Sequence, residues 1–233
     1  MTGPRGVQHA TVATAGEPHL RDELRVLYRE LRPDIEARLR AFRALWDGGS
    51  DEDLFAEMTF CLCAVQTSAV VCEEAVRRLR ERGFLLAGER ERVRDVLRGC
   101  AVRFHENKSR WIVGARRRFM EPRPTIRRDL QARAHSPPAL REWLEEEVLG
   151  FGPKEASHFL RNIGLGEDLA ILDRHVLRNL AGLGVIDGPP PSLTRGGYLA
   201  IEGRLQAFCE RMGIPVGHMD LLLWAKETGF VFK

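Results

Sequence analysis

Long apolar runs are missing from this 233-residue sequence: none approaches the ~20 residues that a membrane-spanning helix needs, so we expect no membrane segment. The opening residues, MTGPRGVQHA, have neither the apolar core of a secretory signal nor the Arg-rich amphipathic character of a transit peptide, which predicts a cytoplasmic protein. The five cysteines form no regular framework and the seven histidines show no ligand spacing. We therefore expect reduced thiols and no metal held by a cysteine or histidine cluster.

Helical periodicity dominates the sequence, whereas the alternating apolar pattern of β-strands is nearly absent. Residues 1–18 lack periodicity and are expected to form a flexible tail. Leucines then recur at helical spacing, and Pro33 is expected to begin a second helix. Ser50 and Asp53 have the spacing of a capping box that opens a further helix. The sequence thus predicts an all-α protein of roughly ten helices joined by short connections.

Positive charge is uneven along the chain and between the two basic residue types. The formal net charge is only +3, but residues 103–133 hold ten Lys or Arg against three Asp or Glu. Such a segment fits either a nucleic-acid footprint or a solvated helix face. Of the 36 basic residues, 32 are Arg and four are Lys. Each lysine therefore invites a chemical explanation, because an amine can lose its proton and act as a nucleophile, which a guanidinium effectively cannot.

The stretch VLGFGPKEA at residues 148–156 separates two amphipathic helical patterns. Gly150 and Gly152 let the backbone turn sharply and let another chain segment approach closely. Pro153 favours the start of a helix, because the first N–H of a helix has no partner within it. The amides at that helix start can bind a phosphate, so the stretch fits a helix-hairpin-helix DNA-binding element. A plain corner between two helices stays open as the alternative.

Lys154 lies in the first turn of the helix after the glycines, where the positive end of the helix dipole disfavours an ammonium. A neutral amine there would be available for attack, although a phosphate-binding lysine would occupy the same position. Asp173 follows the apolar run LAIL and is a good N-cap. The same carboxylate could exchange protons with a substrate held against Lys154, and spacing alone leaves both roles open.

Five segments carry a combined signature: FCLCAVQTSA, RFHENKSRWIVGARR, GFGPKEASHFLRNIG, LAILDRH and DLLLWAKETGFVFK, which ends on Lys233. Together they resemble the archaeal-type branch of the 8-oxoguanine DNA glycosylase/AP lyases, helix-hairpin-helix base-excision enzymes that also occur in bacteria. The resemblance covers about residues 52–233. The N-terminal tail and the triple proline at 189–191 lie outside the pattern, and Pro153 stands where an aromatic residue is more usual.

The resemblance implies catalytic and base-recognition roles for matching residues. Lys154 would attack C1′ of the damaged nucleotide, displace the base and form a Schiff base, with Asp173 helping to activate it. Phe104 and Trp224 would stack on the two faces of the flipped base. Lys233 would contribute to recognising the oxidised base. By residue type alone, however, both aromatic residues would be assigned to a hydrophobic core.

Further contacts to DNA follow from the same resemblance. Gln66 would occupy the space that the flipped base leaves in the duplex. Contacts to the DNA backbone are implied for Gly150, Gly152, His158 and Arg174. A monovalent cation could be held by the backbone carbonyls of Glu146, Val148 and Phe151.

The implied fold is an all-α helix-hairpin-helix DNA glycosylase with its cleft between two helical subdomains. A barrel of about residues 50–164 would carry the hairpin, and residues 19–49 with 165–233 would form the second subdomain. The expected activity is removal of 8-oxoguanine from double-stranded DNA and β-elimination at abasic sites, by a monomer without a cofactor. Two alternatives stay open. One is a monofunctional glycosylase for another base, using Asp173 and water; the other is a non-catalytic DNA-binding module.

Overall fold

The computed structural model describes residues 18–232, which fold into twelve helices and contain no β-strand. This confirms the all-α prediction. Residues 1–17 of the predicted tail and Lys233 lie outside the described residues. The helices are α1 (Pro18–Gly48), α2 (Asp51–Cys63), α3 (Ala69–Glu81), α4 (Phe84–Ala87), α5 (Arg90–Gly99), α6 (His105–Phe119), α7 (Ile126–Gln131), α8 (Pro137–Glu147), α9 (Pro153–Asn162), α10 (Arg174–Gly182), α11 (Arg195–Met212) and α12 (Val216–Thr228).

Helix α1 is continuous through Pro33, so the prediction of a new helix at this residue was wrong. A proline inside a helix removes one backbone hydrogen bond and costs about 3 kcal/mol in isolation. Leu24 before the proline and Ile35 and Leu39 after it are all buried in the same apolar cluster. Burial of one face on both sides of Pro33 therefore keeps the two halves in a single helix.

The N-terminus of α2 has the predicted capping box. Ser50 Oγ accepts a hydrogen bond from the Asp53 amide at 3.1 Å, and Asp53 Oδ2 accepts one from the Ser50 amide at 2.9 Å. Every residue of α2 from Leu54 to Cys63 is buried, so this helix runs through the interior. The cap thus fixes where this central helix begins. The turn that follows the other end of α2 lies at the protein surface.

The buried apolar side chains form two clusters. The first is made of residues between Leu54 and Leu169, and the second joins the apolar face of α1 to residues between Ala170 and Leu223. The proposed division at 50–164 stays a prediction. None of the described helices is both long enough and apolar enough to span a bilayer.

A buried ion pair joins elements of the two clusters. Arg141 of α8 donates to both carboxylate oxygens of Glu202 on α11, at 2.7 and 3.0 Å. Glu202 Oε1 also accepts the Ala170 amide at 2.8 Å. Each buried charge therefore has hydrogen-bonding partners. The ion pair and the Ala170 contact together fix the positions of α8, α11 and the segment before α10 relative to one another.

Candidate active site

A cleft of about 760 Å³ lies among the turn after α2, helix α9, the start of α10 and helix α12. These elements are far apart in the sequence, and the fold brings them around one space. Six of the residues singled out from the sequence line it: Gln66, Lys154, His158, Asp173, Arg174 and Trp224. The cleft is therefore the place where the predicted chemistry can be assembled.

The hairpin between α8 and α9 has the geometry that its glycines predict. The Val148 carbonyl accepts the Phe151 amide at 2.9 Å and closes a tight turn. Gly150 within that turn has φ +99°, a region that side chains other than glycine rarely adopt. The Gly152 amide, just before α9, donates to Glu155 Oε2 at 3.3 Å. The turn delivers Lys154 at the start of α9, with its side chain 23% exposed.

Gly150 is also required by its packing against Trp111. A Cβ atom added at Gly150 would lie 2.5 Å from the Trp111 ring, whereas one at Gly152 would meet only Glu155 Oε2 at 3.5 Å. Trp111 of α6 thus forms the floor beneath the hairpin. The two glycines, although one residue apart, place different demands on the backbone.

We expect Gly150→Ala to lower the free energy of unfolding by about 1–3 kcal/mol through backbone strain. The loss should be larger if the Trp111 ring does not shift to make room for the added methyl group. Binding of duplex DNA should weaken at the same time, because the hairpin shifts. Gly152→Ala is the matched control and should retain most of both properties. Thermal unfolding and fluorescence anisotropy with a labelled duplex measure the two effects. Equal losses in the two variants would contradict the assignment of the turn to Gly150.

Helix α9 directs one stripe of side chains into the cleft. Lys154, His158 and Arg161 recur at intervals of four and three residues, and all three line the cleft. Lys154 Nζ lies 3.4 Å from Glu155 Oε1. His158 is buried, with its ring 5.8 Å from Phe60 in an edge-to-face arrangement. The exposed end of the stripe is therefore the amine, and the buried end is a guanidinium.

Asp173 caps a helix, as its position after the apolar run predicts, and it also lies in the candidate cleft. It is the N-cap of α10, and its Oδ1 accepts the Val176 amide at 2.8 Å. The residue also lines the same cleft as Lys154. Capping uses one carboxylate oxygen, so the cap fixes the orientation of the side chain while the other oxygen can act on a substrate.

Asp220 on α12 is a site residue that the sequence reasoning missed. Burial raises its pKa to about 6, with the negative charge of Asp173 raising it further and the positive charges of Arg161 and Lys154 lowering it. Arg161 Nη1 lies 3.2 Å from Asp220 Oδ2, and the arginine side chain is only 2% exposed. The available signal was spacing: Asp220 lies one helical turn before Trp224.

The two aromatic residues proposed to sandwich the base occupy different places. Trp224 lines the cleft, with its ring 5.9 Å from His175 in an edge-to-face arrangement. Phe104 is not among the lining residues; it is 47% exposed, at the N-cap of α6 with φ +56°. Arg103, which does line the cleft, lies 5.3 Å above the Phe104 ring. Phe104 is thus next to a cleft residue rather than opposite Trp224.

Five further residues predicted from the sequence lie in the hairpin. Gly150, Gly152, Glu146, Val148 and Phe151 belong to the α8–α9 hairpin rather than to the cleft lining. The Val148 carbonyl already accepts one amide, which leaves one lone pair for a cation.

The described end of the chain packs back onto the protein. Val231 packs against the second cluster, and Arg38 of α1 lies 5.8 Å above the Phe232 ring. These contacts bring the chain to residue 232 against α1. Lys233 itself follows directly but lies outside the described residues.

The basic segment at 103–133 divides into buried and exposed residues. Lys108 and Arg116 are buried, and Arg127 donates to the carbonyls of Trp46 and Gly49. These three cations hold the fold together rather than face a polyanion. The exposed basic residues of the segment are Arg103, Arg110, Arg117, Arg118, Arg123 and Arg128.

A lysine amine at the start of the second hairpin helix lines the same cleft as a carboxylate that caps another helix, which is the arrangement that a lysine-dependent DNA glycosylase needs. The hairpin amides would hold phosphate while the amine reaches the sugar. A family profile described as 8-oxoguanine DNA glycosylase matches residues 35–214, and the chain belongs to this family.

Individual relatives agree with this membership. The chain is 39% identical over 212 residues to an 8-oxoguanine DNA glycosylase/AP lyase of Fusobacterium nucleatum, covering 91% of this chain and 97% of the relative. The crystal structure of the Thermotoga maritima 8-oxoguanine DNA glycosylase superposes with a TM-score of 0.82 at 34% identity, covering 92% of this chain and 99% of that one. The Methanocaldococcus jannaschii 8-oxoguanine glycosylase/lyase, solved with a 15mer DNA containing 8-oxoguanine, gives 0.83 at 32% identity, covering 92% and 100%.

Proposed function

We propose that this protein removes 8-oxoguanine from double-stranded DNA and then cleaves the resulting abasic site, with Lys154 as the nucleophile of both steps. The observation that carries the proposal is the presence of Lys154 and Asp173 in one cleft of a chain that belongs to this family. Both are polar side chains directed into the same space from different helices. A non-catalytic DNA-binding module would have no use for this pairing.

The chemistry follows from the amine. The neutral Lys154 amine attacks C1′, and the bond to the base breaks with its electron pair leaving on the base, which takes up a proton. The C1′–O4′ bond then opens to give a protonated imine between Lys154 and the sugar, with the ring oxygen leaving as a hydroxyl. Loss of a proton from C2′ expels the 3′ phosphate by β-elimination. Hydrolysis of the imine finally returns the free lysine.

Asp173 is proposed as the group that moves protons in these steps. Its carboxylate can take a proton from the Lys154 ammonium before attack and can stabilise the positive charge that develops on the sugar. The hydrogen bond from the Val176 amide keeps the carboxylate oriented while it acts. A general base that is also an N-cap is held by the backbone rather than by a mobile side-chain network.

The base would stack on Trp224, while Asp220 would bind its edge. A carboxylate accepts the N1–H and N2–H₂ donors that guanine and 8-oxoguanine share, so Asp220 would select guanine-type bases. Phe104 is proposed for the second stacking face, which it reaches only if residues 103–104 move towards the cleft when DNA binds. Gln66 would take the place of the flipped base in the duplex.

Asp220 should also make stability depend on pH. Its folded-state pKa of about 6 lies above its ordinary value of 3.8, so its contribution to the free energy of unfolding is present below pH 4 and lost as pH rises through 6. Asparagine does not titrate, so we expect Asp220→Asn to remove this loss of stability. Between pH 4 and pH 7 the free energy of unfolding should therefore fall more in the wild type than in the variant. Urea unfolding at several pH values measures it, with exposed Asp187→Asn as the control. A parallel pH dependence in wild type and Asp220→Asn would contradict a buried acid.

Lys233 is proposed to recognise the oxidised part of the base. Oxidation converts N7 of guanine from an acceptor into an N–H donor and adds a carbonyl at C8, so an acceptor and a donor supplied by Lys233 would favour the damaged base. Deleting Lys233 should lower 8-oxoguanine excision at least about tenfold, the size of one unmatched polar contact. Cleavage of a preformed abasic site should change little. If both activities fall together, the terminal residue serves the fold instead.

The DNA backbone would be held by the hairpin amides at Gly150 and Gly152, together with His158 and Arg174. Carbonyls of Glu146, Val148 and Phe151 would complete a monovalent cation site between hairpin and phosphate. We expect the protein to act as a monomer wherever chromosomal DNA is, in the cytoplasm of a bacterial or archaeal cell.

A labelled duplex with one 8-oxoguanine tests the activity. We expect strand cleavage without added alkali, because the lyase step follows base release on the same enzyme. A monofunctional glycosylase would release the base and leave an abasic strand that breaks only on treatment with alkali. An undamaged duplex serves as the control, and failure to release 8-oxoguanine at all would contradict the proposed function.

A further inference from the structure

We infer that Lys108 is a positioning residue that holds the turn after α2, residues 64–67 with Gln66 at its tip, in the conformation that enters the duplex. The inference rests on the proposed function, because it gives this turn a role in opening the base pair. Lys108 lies on α6, outside the cleft lining, and the proposed reaction steps do not use its amine. Its effect would therefore be transmitted through the backbone of the turn.

The buried ammonium of Lys108 is fully engaged by the end of α2 and the turn after it. Nζ donates to the Cys63 carbonyl at 2.7 Å, to the Val65 carbonyl at 2.7 Å and to Thr67 Oγ1 at 3.0 Å. Helix α2 ends at Cys63, where carbonyls run out of partners within the helix. An ammonium has three N–H donors, so these three acceptors use all of its hydrogen-bonding capacity.

The backbone that Lys108 holds is unusual. Gln66 has φ +51°, in the left-handed region that residues other than glycine rarely adopt. Val65 and Thr67, the residues on either side of it, each give Lys108 an acceptor, so the ammonium fixes both ends of the strained residue. Gln66 itself is exposed and lines the cleft. We call the three hydrogen bonds of Lys108 to Cys63, Val65 and Thr67 the clamp. The clamp holds the backbone of the turn and leaves the Gln66 side chain free to contact DNA.

The same contact joins the turn to the segment that carries Phe104. Thr67 Oγ1 accepts the Arg103 amide at 3.2 Å as well as the Lys108 ammonium. Lys108 Nζ also lies 6.0 Å from the Phe104 ring centroid, within cation–π range. One buried cation therefore ties together two segments at the rim of the cleft, each of which is proposed to meet the flipped nucleotide or its partner strand.

The chemistry of the contact accounts for a lysine in an arginine-dominated chain. Three acceptors that converge on one point suit a compact ammonium, whereas the planar fork of a guanidinium would direct its donors apart. Burial lowers the pKa of Lys108, since the charged form loses its hydration. The three acceptors compensate for that loss, and a methionine at this position would leave them without their donor.

Kinetics with two forms of the substrate test the inference. We expect Lys108→Met to lower kcat/KM for 8-oxoguanine in a duplex by about 10-fold or more, but to change excision from single-stranded DNA far less, because no base pair has to be opened there. The rise in fluorescence of a 2-aminopurine placed next to the lesion, in a duplex where the lesion itself is paired, should slow in parallel. Lys108→Arg should not restore the duplex activity. Lys226→Met, which removes an exposed lysine of α12, is the matched control.

Coupling to Gln66 separates positioning from general damage to the fold. In a Gln66→Ala background, adding Lys108→Met should lower kcat/KM on the duplex by less than about threefold, because the side chain that Lys108 positions is already gone. Additive losses, or equal losses on duplex and single-stranded substrates, would overturn the inference. If Lys108→Met does not fold, Thr67→Val carries the test: a loss confined to the duplex supports the clamp, and no loss or an equal loss overturns it. Wild-type protein that releases no 8-oxoguanine from either substrate would instead refute the proposed function.

Discussion

Lys154→Gln is expected to abolish covalent trapping and strand cleavage while leaving affinity for damaged duplex largely intact. The amide of glutamine cannot act as a nucleophile, but it is polar and similar in length, so the first turn of α9 and its hairpin should be preserved. Trapping with borohydride measures the imine, a gel assay measures strand cleavage, and anisotropy with an 8-oxoguanine duplex measures binding. The fall in trapping and cleavage should reach the detection limit.

The comparison that makes this result specific is Lys226→Gln. Lys226 is exposed on α12 and donates to Asn179 Oδ1 at 3.0 Å, away from the cleft lining. Its substitution should leave trapping, cleavage and binding at wild-type levels. Trapping of Lys154→Gln at the wild-type level would show that another amine is the nucleophile.

Asp173→Asn is expected to lower the rate of base excision at least about 100-fold without unfolding the protein, the usual effect of losing an acid–base group. Asparagine keeps an oxygen that can accept the Val176 amide, so the N-cap of α10 should survive and the melting temperature should change little. What the substitution removes is the negative charge of Asp173 in the cleft that Lys154 also lines. Single-turnover excision kinetics and thermal unfolding measure the two properties separately.

Asp173→Ser supplies the second comparison, because serine also caps helices but carries no carboxylate. It should be as slow as Asp173→Asn and similarly stable. If both variants retain near-normal turnover, Asp173 is only a cap. If both lose stability together with activity, the rate loss reflects damage to α10 rather than lost proton transfer.

The helix-hairpin-helix could be predicted from sequence because its signals are local. Gly150 suits the positive φ of its own turn, and Pro153 is favoured at the first turn of its own helix. The capping box of α2 is local in the same way, since its two hydrogen bonds join Ser50 and Asp53. The lysine count was informative for a related reason. In a chain that uses Arg almost throughout, the four lysines single out a few positions, and the roles proposed for Lys154 and Lys108 both need a compact amine.

Features that depend on tertiary packing could not be predicted. Pro33 lies inside α1 because residues before and after it share one buried face, which no local rule reveals. Asp220 becomes a buried acid only because α12 packs beside Arg161 of α9. Phe104 belongs to a motif typical of the family, yet it is not among the residues that line the cleft. A sequence motif specifies the residue type but not the conformation of the protein without DNA.

The central claim is that Lys154 forms a covalent imine with the damaged nucleotide. It is tested most directly by borohydride reduction of the wild-type protein on a duplex with one 8-oxoguanine, followed by peptide mass mapping of the adduct. We predict a stable protein–DNA adduct in which the peptide containing Lys154 carries the sugar. Release of 8-oxoguanine without any adduct, or an adduct on a different lysine, would contradict the account.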